Sequence, residues 1–385
     1  MLHKAKEETK ISAFIIRKIN TTNNFCHRQI QWGHIMFKIQ KSKLLLAAGL
    51  LAMTSAANAA YTFDLSDDQK LTFGGYIKVD ARYTDGQISP TDYWYGSASV
   101  AEGGTSNFGI SVNETRFNTK YVHGDVTGFI EMDFYGDAVS GGGNEIVSNS
   151  SKARLRHAFI QYKSILVGQT WTTFQNTSAL AEAADFGGPL NASAFIRQGQ
   201  IRYTNGGLQV SIENPHSDKG DSSEDSIPDF IAKYTFNGDW GNVSVSGLAR
   251  QLNTVGGDTE SAFGFGVAGR IKTFGKDDFR FQVHGGNTGR YVGVVAARDL
   301  VGEKAEKTTS FMMAYRHFWT DDMRSTVFYG STDADLADTK RNHVAVNLFT
   351  NVTKQLSFGA EIGNFEMDEL NKDSTYLQLS AKYVL

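Results

Sequence analysis

The last nine residues constrain the fold more than any other stretch of the chain. In Leu377-Gln378-Leu379-Ser380-Ala381-Lys382-Tyr383-Val384-Leu385, the odd-numbered residues are apolar, and Gln378, Ser380 and Lys382 lie between them. An extended strand puts these two sets on opposite faces. A final strand that is apolar on one side and mostly polar on the other is the expected closing strand of a transmembrane β-barrel. The same two-residue period recurs along the chain. It predicts strands over about 71–83, 110–122, 126–135, 152–163, 165–171, 197–205, 207–214 and 228–237. It predicts eight more over 241–251, 261–273, 278–287, 308–319, 323–331, 341–353, 355–366 and 374–385. The expected fold class is therefore all-β: a transmembrane antiparallel β-barrel of about 16 strands.

Connection lengths alternate. Turns near 124, 164, 206, 239, 275, 321 and 354 are short. Loops such as 84–108, 136–150, 172–196, 215–226 and 288–307 are long. Outer-membrane barrels pair short periplasmic turns with long outer loops. Roughly twenty residues serve each strand and its connection, ample for the ~9–11 that a tilted strand needs to span. An even strand number puts both termini on the periplasmic side.

The other end of the chain carries an export pattern. Lys38, Lys41 and Lys43 precede the apolar run Leu44–Met53, and Ala57-Asn58-Ala59 follows. This reads as a signal peptide over 36–59, cleaved after Ala59 and too short to span as a helix. Residues 1–35 read as an over-long start without structure, or as an extended n-region. Residues 60–385 read as one barrel domain. Cys26, the single cysteine, lies upstream, so the mature chain offers no disulfide and no thiol nucleophile. Taking away the nine Lys/Arg and two Asp/Glu of residues 1–59 leaves 29 basic against 39 acidic side chains, a balance of −10. An acidic chain argues against a nucleic-acid partner. Mean hydropathy is only −0.31, because a barrel shows its apolar surface in every second residue.

Lipid decides which face is which. A midplane Arg or Lys facing lipid costs ~2–4 kcal/mol, so strand parities that carry arginine should point inward. This assigns Arg82, Arg116, Arg154, Arg156, Arg202, Arg250, Arg270, Arg280 and Arg316 to the lumen. The opposite parities carry Phe117, Tyr121, Leu155, Phe159, Tyr203, Val245, Phe263, Phe265, Val267, Phe279 and Phe281. His157 falls on the outward parity. Inward arginines are fixed positive charges suited to gripping carboxylate or phosphate. Asp80, Glu114, Glu131, Asp133 and Glu361 share that parity, so pairing is the competing expectation.

Segment 172–196 contains a weakly helical stretch, Ala179–Asp185, followed by Phe186-Gly187-Gly188-Pro189. Folded inward, it would be a constriction loop whose Glu182 and Asp185 oppose the arginine wall. Otherwise it caps the outside. The acidic loop tips read as solvated, or as cation bridges to the phosphates of lipopolysaccharide. The Gly264-Phe265-Gly266 and Gly269 pattern lies inside a strand and is no dinucleotide fingerprint. No H-E-x-x-H or G-x-S-x-G occurs, and no metal or cofactor is expected. A barrel hydrolase and a plugged structural barrel remain the rival classes.

Several motifs resemble the DcaP-like outer-membrane porins. They are Gly75-Tyr76-Ile77-Lys78-Val79-Asp80, Leu155-Arg156-His157-Ala158-Phe159, Val167-Gly168-Gln169-Thr170-Trp171-Thr172-Thr173-Phe174, Phe186-Gly187-Gly188-Pro189, Ile196–Thr204 and Ile227-Pro228-Asp229-Phe230. The resemblance is best over about 70–236. It implies a homotrimer of sixteen-stranded barrels in the outer membrane, each narrowed by an infolded loop. It also implies uptake of small anionic solutes, dicarboxylates among them, and a pore-lining role for Arg154, Arg156, Arg197 and Arg202. Arg197 sits on the outward parity and is therefore expected in the loop end, not in the strand. Only Tyr61–Lys70 precedes the first strand, where some family members carry a coiled-coil extension.

Overall fold

The computed structural model describes residues 60–89, 94, 100–136, 151–293 and 296–385. The signal peptide and everything upstream of it lie outside the described residues. The strands in chain order are β1 (Tyr61–Ser66), β2 (Gln69–Ile88), β3 (Val100–Ser111), β4 (Arg116–His123), β5 (Val126–Asp133), β6 (Arg154–Tyr162) and β7 (Ile165–Trp171). Then come β8 (Arg197–Asn205), β9 (Leu208–Glu213), β10 (Asp229–Gly238), β11 (Gly241–Asn253), β12 (Thr259–Lys272) and β13 (Asp278–Gly286). A small hairpin of β14 (Leu300–Val301) and β15 (Lys304–Ala305) precedes β16 (Thr308–Phe318), β17 (Met323–Ala334), β18 (Thr339–Asn351), β19 (Leu356–Met367) and β20 (Lys372–Val384). Among the described residues no α-helix occurs, only short 3-10 turns.

Each wall strand pairs antiparallel with its neighbours, and β20 closes on β2 from Tyr76↔Val384 to Gly86↔Ser374. Strands β3 and β4 form one wall strand, broken at 112–115, that pairs along β2. The result is a closed barrel of 16 wall strands. Closure leaves no sheet edge in the hydrocarbon, where an unpaired backbone group would find no partner. Strand β1 adds a short hairpin on β2 beyond the closure.

The alternation read from the sequence is the alternation of the wall. In β18, Arg341, His343, Ala345, Asn347 and Phe349 are buried inside, while Val344, Val346 and Leu348 are exposed outside. The predicted outward set holds for Phe117, Tyr121, Leu155, Tyr203, Val245, Phe263 and Phe265, all exposed. It fails in β6. There Glu131 pairs with His157 and Met132 with Leu155, so Arg156 is an extra residue in a β-bulge. The bulge turns Arg154, Arg156 and His157 all inward and reverses the parity beyond them. His157 is buried with Nδ1 2.9 Å from Thr170 Oγ1. Phe159, expected on the lipid face, packs with Phe129 and Leu166 inside. The long 84–108 loop is also shorter than expected, because β2 runs on to Ile88 and β3 begins at Val100.

The lumen holds its own packing. Trp94 stacks on Phe365 at 5.3 Å and is closed off by Tyr376. Segment 172–196 is folded inside the barrel and largely buried. Gly330 of β17 allows this approach: a Cβ there would lie 2.6 Å from Pro189 Cβ and 3.0 Å from Ala192 Cβ.

Candidate functional site

The infolded loop is fastened to the wall by polar contacts at both its backbone and its side chains. Glu361 of β19 accepts from the amides of Ala184 (2.7 Å) and Asp185 (3.1 Å). Lys78 of β2 and Gln378 of β20 both donate to Ala184 O, at 2.7 and 2.6 Å. Asn191 donates to the carbonyls of Gly330 and Arg341, and Gln282 of β13 accepts from Ala194 N. These bonds occupy the backbone of Ala184 and Asp185, and the expected helical stretch over 179–185 does not form. A 3-10 turn at Thr177–Ala179, capped by Asn176, and another at Leu190–Ala192 replace it.

Both loop carboxylates touch arginine directly instead of facing it across water. Glu182 takes Arg324 through Nε and Nη2 (2.7–3.0 Å) and Arg316 through Nη1 at 3.0 Å. Burial alone would raise the Glu182 carboxyl, but Arg324 and Arg316 win and hold it below its ordinary value. Asp185 accepts from Arg82 of β2. Burial pushes its carboxyl up from 3.8 to about 7, with Glu361 adding to the rise and Arg82 only partly opposing it.

A second loop, after β13, also folds inward. Val292 forms an antiparallel bridge with Ala194. Phe195 N donates to Tyr291 O, and Gly293 N donates to Ser193 O. Asp299 fixes this loop by accepting from Arg250 and from the amides of Arg290 and Asp218. The loop reading of 288–307 anticipated neither the infolding nor this buttress.

The inward arginines fall into sectors. On β4–β8, Arg154 grips Asp133 with two parallel bonds of 3.0 and 2.7 Å. Arg156 spans Glu131 (2.8 Å) and Asp133 (3.0 Å), and Arg116 lies 3.6 Å from Glu131. Arg197 is the first residue of β8, not part of the loop. Its guanidinium stacks 3.8 Å from the Trp171 ring, forms no ion pair with a described carboxylate, and has Nε and Nη2 without partners among the described residues. Arg156, Arg154 and Arg116 are its cationic neighbours, and Asp133 is the carboxylate that acts on it. Arg202 donates to Gln200 Oε1 and Trp171 O and forms no ion pair with a described carboxylate. On β12–β17, Arg270, Arg280 and Arg316 all contact Asp278. Arg250 is fully buried between Asp229 and Asp299.

The structure therefore places Arg82, Arg116, Arg154, Arg156, Arg202, Arg250, Arg270, Arg280 and Arg316 in the lumen, most of them paired. Of the predicted carboxylates, Glu131 and Asp133 pair with arginine, whereas Asp80 and Glu114 pair with Lys78 and Glu361 accepts from Asn347, Tyr376 and the loop amides. Arg324 and Lys233 went unnamed in the arginine ladder. Arg324 stands at an inward strand position beside a short turn, so parity alone would have found it. Lys233 is buried in β10 and donates to Gln175 O. Arg290 lies in a loop, where no period marks it.

A closed sixteen-stranded barrel with an apolar exterior, a charged lumen and an infolded loop defines an outer-membrane porin. The sequence profile of the DcaP outer membrane protein family matches residues 27–362, and the chain belongs to that family. Its place is the cell outer membrane. Among solved structures, the outer membrane channel DcaP of Acinetobacter baumannii is similar at a TM-score of 0.68 and 20% identity, over 84% of this chain and 99% of that one. OmpT of Vibrio cholerae lacking loop L8 is similar at 0.54 and 14%, over 83% and 100%. The anion-selective porin from Comamonas acidovorans is similar at 0.52 and 12%, over 82% and 100%. No curated protein sequence matches the chain.

Proposed function

We propose that this porin is a passive diffusion channel that favours small anions, dicarboxylates among them, and performs no covalent chemistry. The observation that carries the reading is a guanidinium surplus in the wall. Arg270, Arg280, Arg316 and Arg324 share only Asp278 and Glu182 among the described residues. Four to seven strands away along the wall, Arg197 of β8 stands beside Arg154 and Arg156 without an ion pair to a described carboxylate. Fixed positive charge in two sectors of the wall lowers the cost of bringing a hydrated anion through. Binding must stay weak, since a tightly held solute blocks conduction. The pore-lining roles of Arg82, Arg116, Arg154, Arg156, Arg197, Arg202, Arg250, Arg270 and Arg280 belong to this proposal, as does the narrowing role of Glu182 and Asp185. The resemblance to DcaP-like porins adds a homotrimer seated among lipid and lipopolysaccharide, tested by the mass of the detergent-extracted protein.

The pairing of Arg154, Arg156 and Arg250 favours a second reading, a porin without charge preference. The reversal potential of single channels in a potassium chloride gradient separates the two. The anion reading expects a potential displaced toward that of chloride. A potential at zero supports the second reading, and one displaced toward potassium overturns the first.

A further inference from the structure

Arg270 of β12 and Arg280 of β13 are direct register partners in the wall. Two like charges placed opposite each other are unfavourable without compensation. Asp278 is their shared counter-charge, reached by Arg270 Nη2 at 3.0 Å and Arg280 Nε at 2.7 Å. The same carboxylate is also bound twice by Arg316, at 2.5 and 3.1 Å. One carboxylate therefore serves three guanidinium groups.

Donors remain over. Arg270 Nε and Arg280 Nη2 have no partner, although Arg280 is only 2% exposed. A buried charged donor left unsatisfied is costly. Arg280 cannot swing away to find one, because its Nη1 is tied to Leu180 O of the infolded loop at 2.5 Å. Ala314, its register partner on β16, leaves space beside it. Arg270 is open to the channel, with a third of its side chain exposed. Lys272 stands in register with Asp278 and adds another cation on the inward parity. The cluster lies near the short turns at 273–277 and 319–322, the periplasmic end of such a barrel.

We propose that Arg270 and Arg280, backed by Arg316, form an anion station at the periplasmic mouth that receives the carboxylate of a solute leaving the constriction. This rests on the anion-porin reading above. Three guanidinium groups on one carboxylate leave the cluster net positive, and Arg270, a third exposed, presents that charge and its fork to a carboxylate in the channel. All three side chains point inward, so the anion comes from the aqueous channel, not from lipid.

Planar bilayers with the full-length mature protein test the station, with succinate as the blocker in one compartment at a time. Wild-type reversal potential first decides the underlying reading. Succinate added on the short-turn side should block more strongly than on the loop side. Arg270→Gln should raise the half-blocking concentration on the short-turn side about tenfold while changing the loop-side value far less. Arg270→Lys, which keeps the charge and removes the fork, should recover only part. Circular dichroism confirms that each variant is folded. An anion-selective wild type whose short-turn block is unaltered by Arg270→Gln, or lost equally from both sides, overturns the station and leaves the porin reading standing. A cation-selective wild type overturns both.

Discussion

Arg156 shows how a lumen position differs from a surface position in consequence. Lumen sites of barrels tolerate polar change in general, which on its own predicts a harmless Arg156→Ala. Here the guanidinium is buried and is shared by Glu131 and Asp133, both buried. Removing it takes the closest cation from Glu131 and leaves Asp133 to Arg154 alone, and breaking a buried pair costs up to about 3–5 kcal/mol. Arg156→Ala should therefore lower resistance to urea unfolding in detergent by that order and also reduce anion preference. A fully stable variant would show that Arg154 and Arg116 suffice for both carboxylates. Asp185 carries a pH consequence. Its folded carboxyl titrates near 7 against 3.8 when free. The folded state therefore holds an extra proton between those values, and the stability this confers is lost as pH rises through about 7. Below about 7 Asp185 is neutral, and the lumen beside Arg82 carries one negative charge fewer. Anion preference should rise as pH falls from 8 to 6, and Asp185→Asn should remove that dependence. A pH profile that persists in Asp185→Asn refutes the assignment.

Among the elements, the 172–196 loop matters most because it fills the lumen and can be moved without breaking a wall strand. Its charged anchor is Glu182, held by Arg316 of β16 and Arg324 of β17. Glu182→Ala removes a charge bound by two arginines, weakening the anchor by about 3 kcal/mol. The expected outcome is a larger, noisier single-channel conductance and a stronger anion preference, because Arg316 and Arg324 lose a shared counter-charge. Unchanged conductance would mean that the Glu361 and Asn191 anchors hold the loop alone. The helical tendency of Ala179–Asp185 lost because its amides and carbonyls found partners on β2, β19 and β20, a tertiary override of a weak propensity. The β6 bulge was invisible for a different reason. One inserted residue leaves no mark on composition and only a local break in parity, seen beforehand as the misplaced His157.

At the scale of the whole molecule, the lipid face sets stability. Phe265 is exposed at mid-strand on β12, and Phe265→Arg should cost about 2–4 kcal/mol, read by urea unfolding in lipid vesicles. A smaller loss would move β12 away from the bilayer centre. The strand count, the inward arginines and the membrane address could be read from the sequence because hydrocarbon enforces them residue by residue. Every backbone group must pair, and every second side chain must be apolar. No such local rule governs the lumen. Whether Arg197 is free and Arg250 is locked depends on which carboxylates the barrel's stagger brings within reach. The 287–307 buttress depends on a contact with Ala194, nearly a hundred residues earlier in the chain. Periodicity is a property of neighbours along the chain and was legible there; charge pairing is a property of neighbours across the channel, and only closure of the barrel decided it.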